Sequence, residues 1–365
     1  MKIEAAVVHE VNGPYLIEEV ELAAPRADEV LVKVSASGIC HTDVGAQKGD
    51  FGNIFPIVLG HEGSGVVMEA GSGVKEFKPG DRVAMSFSWC GECPACSTGR
   101  SWGCSRLYDL NFAGHDYYGG TPLSRNGERV SCFFGQSSFA SHAVVHKNNL
   151  VRVPDGMDLR IAAPVGCGIQ TGAGSVLNYL RPVPGNGIVV SGCGGVGMSA
   201  LMAARLCGCD PIVAVDVVDS RLELALELGA TRAVNAKREN PVQAVHELTG
   251  GRGVEYAVEC SGIGECIRTA VNCTGAFGVI AVCGAAYDLR INFHEEVTAM
   301  HRTLTGIIEG HSNPKQFIPK LLSFYEKGLF PIDKLIKFYD FKDIEQAVED
   351  SVQGIALKPV LVMGS

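Results

Sequence analysis

The segment Gly192-Cys193-Gly194-Gly195-Val196-Gly197 constrains this chain more than any other. It fits G-x-G-x-x-G, follows the apolar run Ile188–Ser191 and opens a helical pattern from Val196 to Cys207. The next apolar run, Ile212–Asp216, ends on an acid nineteen positions after Gly197. Strand, glycine turn, helix and acid in this order make a βαβ unit suited to a dinucleotide. Gly192 permits the tight turn, Gly194 lets backbone approach a pyrophosphate, and Gly197 lets helix and strand pack closely. Gly195 and Val196 lie at the helix N-terminus, where the phosphates would sit. Asp216 would accept hydrogen bonds from ribose hydroxyls and repel a 2′-phosphate, favouring NAD, while Arg221 partly offsets that charge. The alternative is a structural βα turn with no cofactor.

The rhythm around this unit is consistent with it. From about residue 169 apolar strands (Val254–Glu259, Gly278–Cys283) alternate with helices, among them Arg221–Leu228 closed by Gly229. That alternation predicts a parallel, doubly wound sheet. Before residue 160 only short strands appear (Ala5–Val8, Tyr15–Val20, Val30–Val34), separated by turn signals, so the opening is all-β and barrel-like. An amphipathic helix, Pro314–Lys327, and a strand at Pro359–Met363 close the chain.

The 365 residues suffice for two domains, and 46% hydrophobic with 19% charged residues is the balance of a folded protein. The net charge is −9 with no Lys/Arg-rich run, which argues against nucleic acid as a partner. The uncharged stretch Pro182–Ala204 contains two Pro and six Gly and centres on the glycine turn, so a membrane span is not expected. The first residues lack the long apolar run of a signal peptide, and a cytoplasmic location is expected. The fourteen cysteines then read as thiols or metal ligands before disulfides.

Four of them, Cys90, Cys93, Cys96 and Cys104, fall within fifteen residues. Two-residue gaps turn successive thiolates toward one centre, and a fourth closes a tetrahedron with no open position, the pattern of a structural zinc. An Fe–S cluster or a set of redox thiols are the alternatives. A second constellation is dispersed: Cys40 follows a strand, His61 comes twenty-one residues later, and Cys167 precedes the dinucleotide region. Two thiolates and an imidazole are the ligand set of a catalytic zinc. Glu62 would be an outer or exchanging ligand, and Asp43 would accept the free N–H of His61. Singly, each of these residues also reads as an ordinary buried or loop residue.

Together the residues resemble the zinc-dependent medium-chain alcohol dehydrogenases over essentially the whole chain. The segment Gly60-His61-Glu62-x2-Gly65-x5-Gly71 matches that family's zinc signature. Gly168-Ile169-Gln170-Thr171-Gly172 and Phe338-Tyr339-Asp340-Phe341 look like its aryl- (benzyl-) alcohol branch. The resemblance implies an α/β chain with a GroES-like β-barrel catalytic domain at 1–168 and 311–365. A Rossmann coenzyme domain would span 169–310. It implies NAD, one catalytic zinc on Cys40, His61 and Cys167, and one structural zinc on the four-cysteine loop of each subunit.

By family position Thr42 contacts the alcohol and passes on its proton, and His41 and Lys358 are basic groups near the coenzyme pyrophosphate. Phe51, Ser86, Phe133, Phe134 and Trp89 would line the substrate channel, although Trp89 reads equally well as core. One departure is Gly45, which stands where many members carry a relay histidine. The implied reaction is hydride transfer between NAD(H) and a primary alcohol or aldehyde, aryl or allylic by its aromatic pocket. The alternatives are a terpenoid, long-chain or larger natural-product alcohol and, more distantly, a non-catalytic NAD(H)-binding protein. A homodimer or homotetramer is expected.

Overall fold

The computed structural model describes residues 1–364 and divides into two compact units. The first comprises Met1–Cys167, Asn313–Glu326 and the chain from Ile332 onward; the second comprises Gly168–Ser312 and Lys327–Pro331.

In the first unit, a small closed barrel joins β1 (Lys2–Val8), β2 (Leu16–Leu22), β4 (Ile57–Val58), β7 (Leu123–Arg125) and β8 (Glu128–Cys132). A second sheet runs in the order β10 (Leu150–Arg152), β6 (Arg82–Met85), β5 (Glu62–Ala70), β3 (Glu29–Gly38), β18 (Lys358–Val362) and β17 (Ile336–Asp340). A further strand, β9 (His142–His146), pairs with β3. The core between them holds Phe87, Phe133, Phe139 and Leu59, all fully buried. The final strand β18 inserts beside β3, with Val360 opposite Gly38. The chain's last strand is therefore built into the first domain's sheet.

Among the described residues up to Cys167, four short α-helices interrupt the strands: His41–Gln47, Pro94–Ser97, Leu107–Phe112 and Leu159–Ala162. At four to seven residues they show no clear 3.6-residue period, which is why the sequence reads there as loop. The first is fixed by Asp43, whose carboxylate accepts from the Cys40 N–H at 3.0 Å at the helix start.

The second unit is a six-stranded parallel sheet. Its order is β13 (Arg232–Asn235), β12 (Ile212–Asp216), β11 (Ile188–Ser191), β14 (Val254–Glu259), β15 (Thr274–Val282) and β16 (Thr303–Gly306). This is the doubly wound 3-2-1-4-5-6 arrangement. Every residue of β11 and β12 is buried, as parallel strands covered on both faces require. The expected helices are Gly195–Leu206 and Asp219–Leu228, the latter ended by Gly229 at φ 123°. Among the described residues no helix is long and apolar enough to cross a membrane.

Candidate active site

Antiparallel pairing of β3 with β5 sets Gly38 opposite Glu62, so Cys40 and His61 arrive side by side from opposite strand ends. Gly38 is required there, because a Cβ would strike the Glu62 carboxylate. Cys167 enters from the turn Ala163–Gly166, which approaches β6 so closely that a Cβ on Gly166 would meet the Met85 carbonyl oxygen. Ser86 Oγ donates to the Gly166 carbonyl at 2.7 Å and ties the two segments together. The result brings one donor atom each from Cys40, His61, Glu62 and Cys167 within 4.8 Å of one another.

His61 decides what this set is for. Its ring is fully buried, Nδ1 lies 2.8 Å from Asp43 Oδ1, and Nε2 has no hydrogen-bond partner among the described residues. A carboxylate beside Nδ1 fixes the proton there, leaving the Nε2 lone pair directed toward two thiols. Leaving such a buried group unpaired costs about 1–3 kcal/mol. The Cys40 thiol is held well below its usual range, chiefly by a hydrogen bond from Cys167, against the opposing effect of burial. Two sulfurs, one imidazole nitrogen and a nearby carboxylate are the donors that zinc selects, and binding displaces the shared protons.

Glu62 is equally buried. Its oxygens lie 2.9 and 2.9 Å from Lys358 Nζ, which also donates to the Ile39 carbonyl at 3.2 Å. Burial pushes the Glu62 carboxyl up to about 7 against the pull of the Lys358 ammonium. The expectation for Lys358 was a place near the pyrophosphate; the structure commits its ammonium to Glu62. Nothing in the sequence signals a pair separated by 296 residues. Thr42 Oγ1 lies 3.6 Å from Cys40 Sγ at the border of the donor set, while His41 is exposed.

Aromatic rings flank the imidazole. Phe134 stacks on it at 4.3 Å between centroids, and Phe133 meets it edge-on at 5.7 Å. Phe51 lies 6.1 Å from Phe133 and stacks at 4.5 Å on Phe112, a ring sequence reasoning missed. The available signal was Tyr108 and Phe112, four residues apart on one short helix and 5.4 Å apart in space. Trp89 is half-buried between this core and the four-cysteine loop.

In that loop one sulfur from each of Cys90, Cys93, Cys96 and Cys104 lies within 4.8 Å of the others. Backbone N–H groups point at the sulfurs: Cys90 to Cys104 at 3.3 Å, Cys93 to Cys90 at 3.4 Å and Arg106 to Cys104 at 3.4 Å. The N–H groups of Cys96 and Ser105 hold the Cys93 thiol down to about 5. Such donors favour thiolates, and four thiolates in a closed set fit a structural zinc. No disulfide forms among the described residues.

In the second unit the glycine turn has the expected geometry. Gly192 has φ 86°, and a Cβ on Gly197 would strike the Gly192 carbonyl. Gly194, at the start of helix Gly195–Leu206, faces open space. Asp216 Oδ2 accepts from Cys193 N at 2.7 Å, and Oδ1 from Val217 N and Val218 N at 2.7 and 2.9 Å. Arg221 stands 3.8 Å from it.

Residues 26–155 match the model of the alcohol dehydrogenase GroES-like domain, and 195–327 that of the zinc-binding dehydrogenase. The chain belongs to the zinc-dependent alcohol dehydrogenase family. It is 41% identical to the geraniol dehydrogenase of Castellaniella defragrans, over 98% of this chain and 97% of that one. The crystal structure of benzyl alcohol dehydrogenase from Acinetobacter calcoaceticus superposes with TM-score 0.96 at 41% identity, covering 100% of both chains. An alcohol dehydrogenase zinc-binding domain protein from Burkholderia ambifaria gives TM-score 0.97 at 43% identity, also with full coverage of both.

This zinc alcohol dehydrogenase is accordingly an NAD-dependent oxidoreductase of small-molecule alcohols and aldehydes within the medium-chain family. Its fold joins the GroES-like barrel to the Rossmann sheet. Its two cysteine-containing sets are the donors available to a catalytic and a structural zinc.

Proposed function

We propose that the enzyme oxidises benzyl-type or allylic primary alcohols, with Cys40, His61 and Cys167 as the catalytic zinc ligands. The observation that carries the reading is the unpartnered His61 Nε2, buried among two thiols and stacked on Phe134. Zinc bound there supplies Lewis acidity toward an alcohol oxygen, and NAD supplies the hydride acceptor.

The chain's own groups do the rest. Asp43 holds the His61 ring in the tautomer that presents Nε2. Thr42, beside Cys40, takes the hydroxyl proton as it passes its own onward. Glu62 stays close enough to exchange as a ligand, and Lys358 neutralises it. At Gly45 no relay histidine is available, and a Cβ there would lie 2.7 Å from the Asp50 carboxylate. His41, exposed at the helix start, offers the proton an exit to water. Phe51, Phe133 and Phe134 favour a flat conjugated substrate, each good aromatic pair adding about 0.5–1.5 kcal/mol. Ser86 supports this wall indirectly, through its bond to Gly166.

On the coenzyme side we assign the pyrophosphate to Gly192, Gly194, Gly195, Val196 and Gly197, and the ribose hydroxyls to Asp216 with Arg221 beside it. The catalytic domain is taken as 1–168 with 311–365, and the coenzyme domain as 169–310. β16 is an edge strand, which supports a homodimer or homotetramer formed by pairing of coenzyme-domain sheets. A cytoplasmic location keeps the fourteen cysteines reduced.

The test is NADH appearance with benzyl alcohol, cinnamyl alcohol, geraniol and ethanol, with and without a zinc chelator. Turnover of the conjugated alcohols, lost on chelation and weak with ethanol, is expected. Preference for ethanol would overturn the aromatic pocket while leaving the family untouched.

A further inference from the structure

Two cysteines outside both metal sets meet beside the coenzyme turn. Glu259 of β14 pairs with Val282 of β15, so Cys260 and Cys283 follow directly on adjacent parallel strands, in register and on one face. Cys260 N donates to the Ser191 carbonyl and Cys283 N to the Glu259 carbonyl, both at 2.8 Å, which holds the pair at the carboxyl ends of the strands. The register sets the two thiols side by side, and Ser175 Oγ lies 3.1 Å from Cys283 Sγ. Each keeps part of its surface open. Adjacent strands lie ~4.8 Å apart, within the span a disulfide bridges.

We propose that Cys260 and Cys283 form a reversible dithiol–disulfide site whose oxidation closes the coenzyme turn to the dinucleotide. The oxidant is a peroxide. The Cys283 thiolate attacks one peroxide oxygen, the O–O bond breaks, hydroxide leaves, and sulfur gives up two electrons to become a sulfenic acid. Cys260 then attacks that sulfur; the S–S bond forms, the S–O bond breaks, and the departing hydroxide takes the Cys260 proton as water. The roles follow from the environment. Hydrogen bonds from Cys260 and Ser175 lower the Cys283 thiol, whereas the same contact and burial raise Cys260.

The link to the coenzyme is steric. A Cβ on Gly192 would lie 3.0 Å from Ser261 N and 3.2 Å from the Cys260 carbonyl carbon. The first glycine of the turn thus rests on the backbone that a new bond at Cys260 would pull. In open α/β sheets a dinucleotide lies across these same strand ends, so bound NAD shields the thiols. This second half of the inference rests on the coenzyme assignment above; the dithiol chemistry does not.

The experiment treats the full, zinc-loaded chain with hydrogen peroxide, with and without NAD. It reads the Cys260–Cys283 link by mass spectrometry of unreduced tryptic peptides, which Arg268 separates. NADH affinity by fluorescence and zinc content are measured on the same samples. The expected result is a 260–283 link, NADH affinity weakened by at least about tenfold, full recovery with dithiothreitol, unchanged zinc, and protection by NAD. Cys260→Ala and Cys283→Ala, each compared with its own untreated state, lose the reversible effect. Absence of the link, a link that leaves NADH affinity unchanged, or the same loss in both variants overturns the proposal. If the untreated protein binds no NADH, the coenzyme assignment fails, and the peptide link alone decides the dithiol.

Discussion

The two donor sets of this protein are similarly compact and differently made. Cys90, Cys93, Cys96 and Cys104 sit on one loop and are held by that loop's own N–H groups. Cys40, His61 and Cys167 come from a strand end, a strand start and a distant turn, the last two 106 positions apart. The first set packs only against a small cluster around Leu110, Leu107, Trp89 and Tyr117, so metal binding and local folding are closely coupled there. The second rests on a sheet with a packed apolar core that exists independently of it. A metal taken from the loop should cost fold, and a metal taken from the sheet should cost chemistry.

Crossed substitutions put this contrast to its hardest test. Cys96→Ser should release one zinc and lower the melting temperature by about 10 °C, several kcal/mol at a few degrees each. Cys167→Ser should release the other zinc and cut turnover by on the order of 10³-fold, ~4 kcal/mol at 1.36 per decade, with little change in melting. Calorimetry and metal analysis on both variants decide it; equal melting losses would erase the distinction.

Next in size is the buried pair. Lys358→Met leaves the Glu62 carboxylate without its cation in a fully buried place, a change expected to destabilise by about 3–5 kcal/mol. The double variant Lys358→Met with Glu62→Gln should recover most of that in denaturant unfolding. If it does not, Lys358 acts through something other than Glu62, and the sheet site is not self-supporting.

What could be read in the sequence follows the same division. The glycine turn, the strand–helix alternation and the four-cysteine loop were legible because each is local: spacing alone brings the residues together. His61 and Asp43 were nearly so, eighteen residues apart across one strand pair. Cys167 had no local spacing to betray it, and only the family resemblance tied it to Cys40. The Glu62–Lys358 pair was illegible, since it depends on β18 returning beside β3. Phe112 was overlooked for a different reason: its helix is six residues long and shows no usable period.

Asp43 offers a smaller, cleaner probe of the sheet site. Asp43→Asn keeps the shape but removes the carboxylate that orders the His61 ring, and zinc affinity there should fall about 10–100-fold. Competition with a chromogenic chelator would show one weakened site and one unchanged site. Weakening of both would mean that the two sets are coupled.

The smallest effect concerns the loop and is set by pH. His146 stacks on Tyr117 at 4.0 Å with rings 5° apart, and the Tyr117 hydroxyl donates to the Cys90 carbonyl at 2.8 Å. Burial lowers the His146 imidazole to about 4, with Asp28 and Glu76 pulling it up and Lys147 and Lys315 pushing it down. The folded state therefore keeps this ring neutral where the unfolded chain, near 6.5, takes a proton. Between those values the unfolded state binds more protons, so stability falls as pH drops from about 6.5 to about 4 and levels off below. The full shift corresponds to at most about 3 kcal/mol, and partial solvation reduces it to about 1–2 kcal/mol. His146→Phe retains the stack and cannot titrate, so its melting temperature should decline less between pH 7 and pH 5 than that of the wild type. Parallel pH profiles would show that the ring does not sense the proton, and the loop's stability would then rest on its thiolates alone.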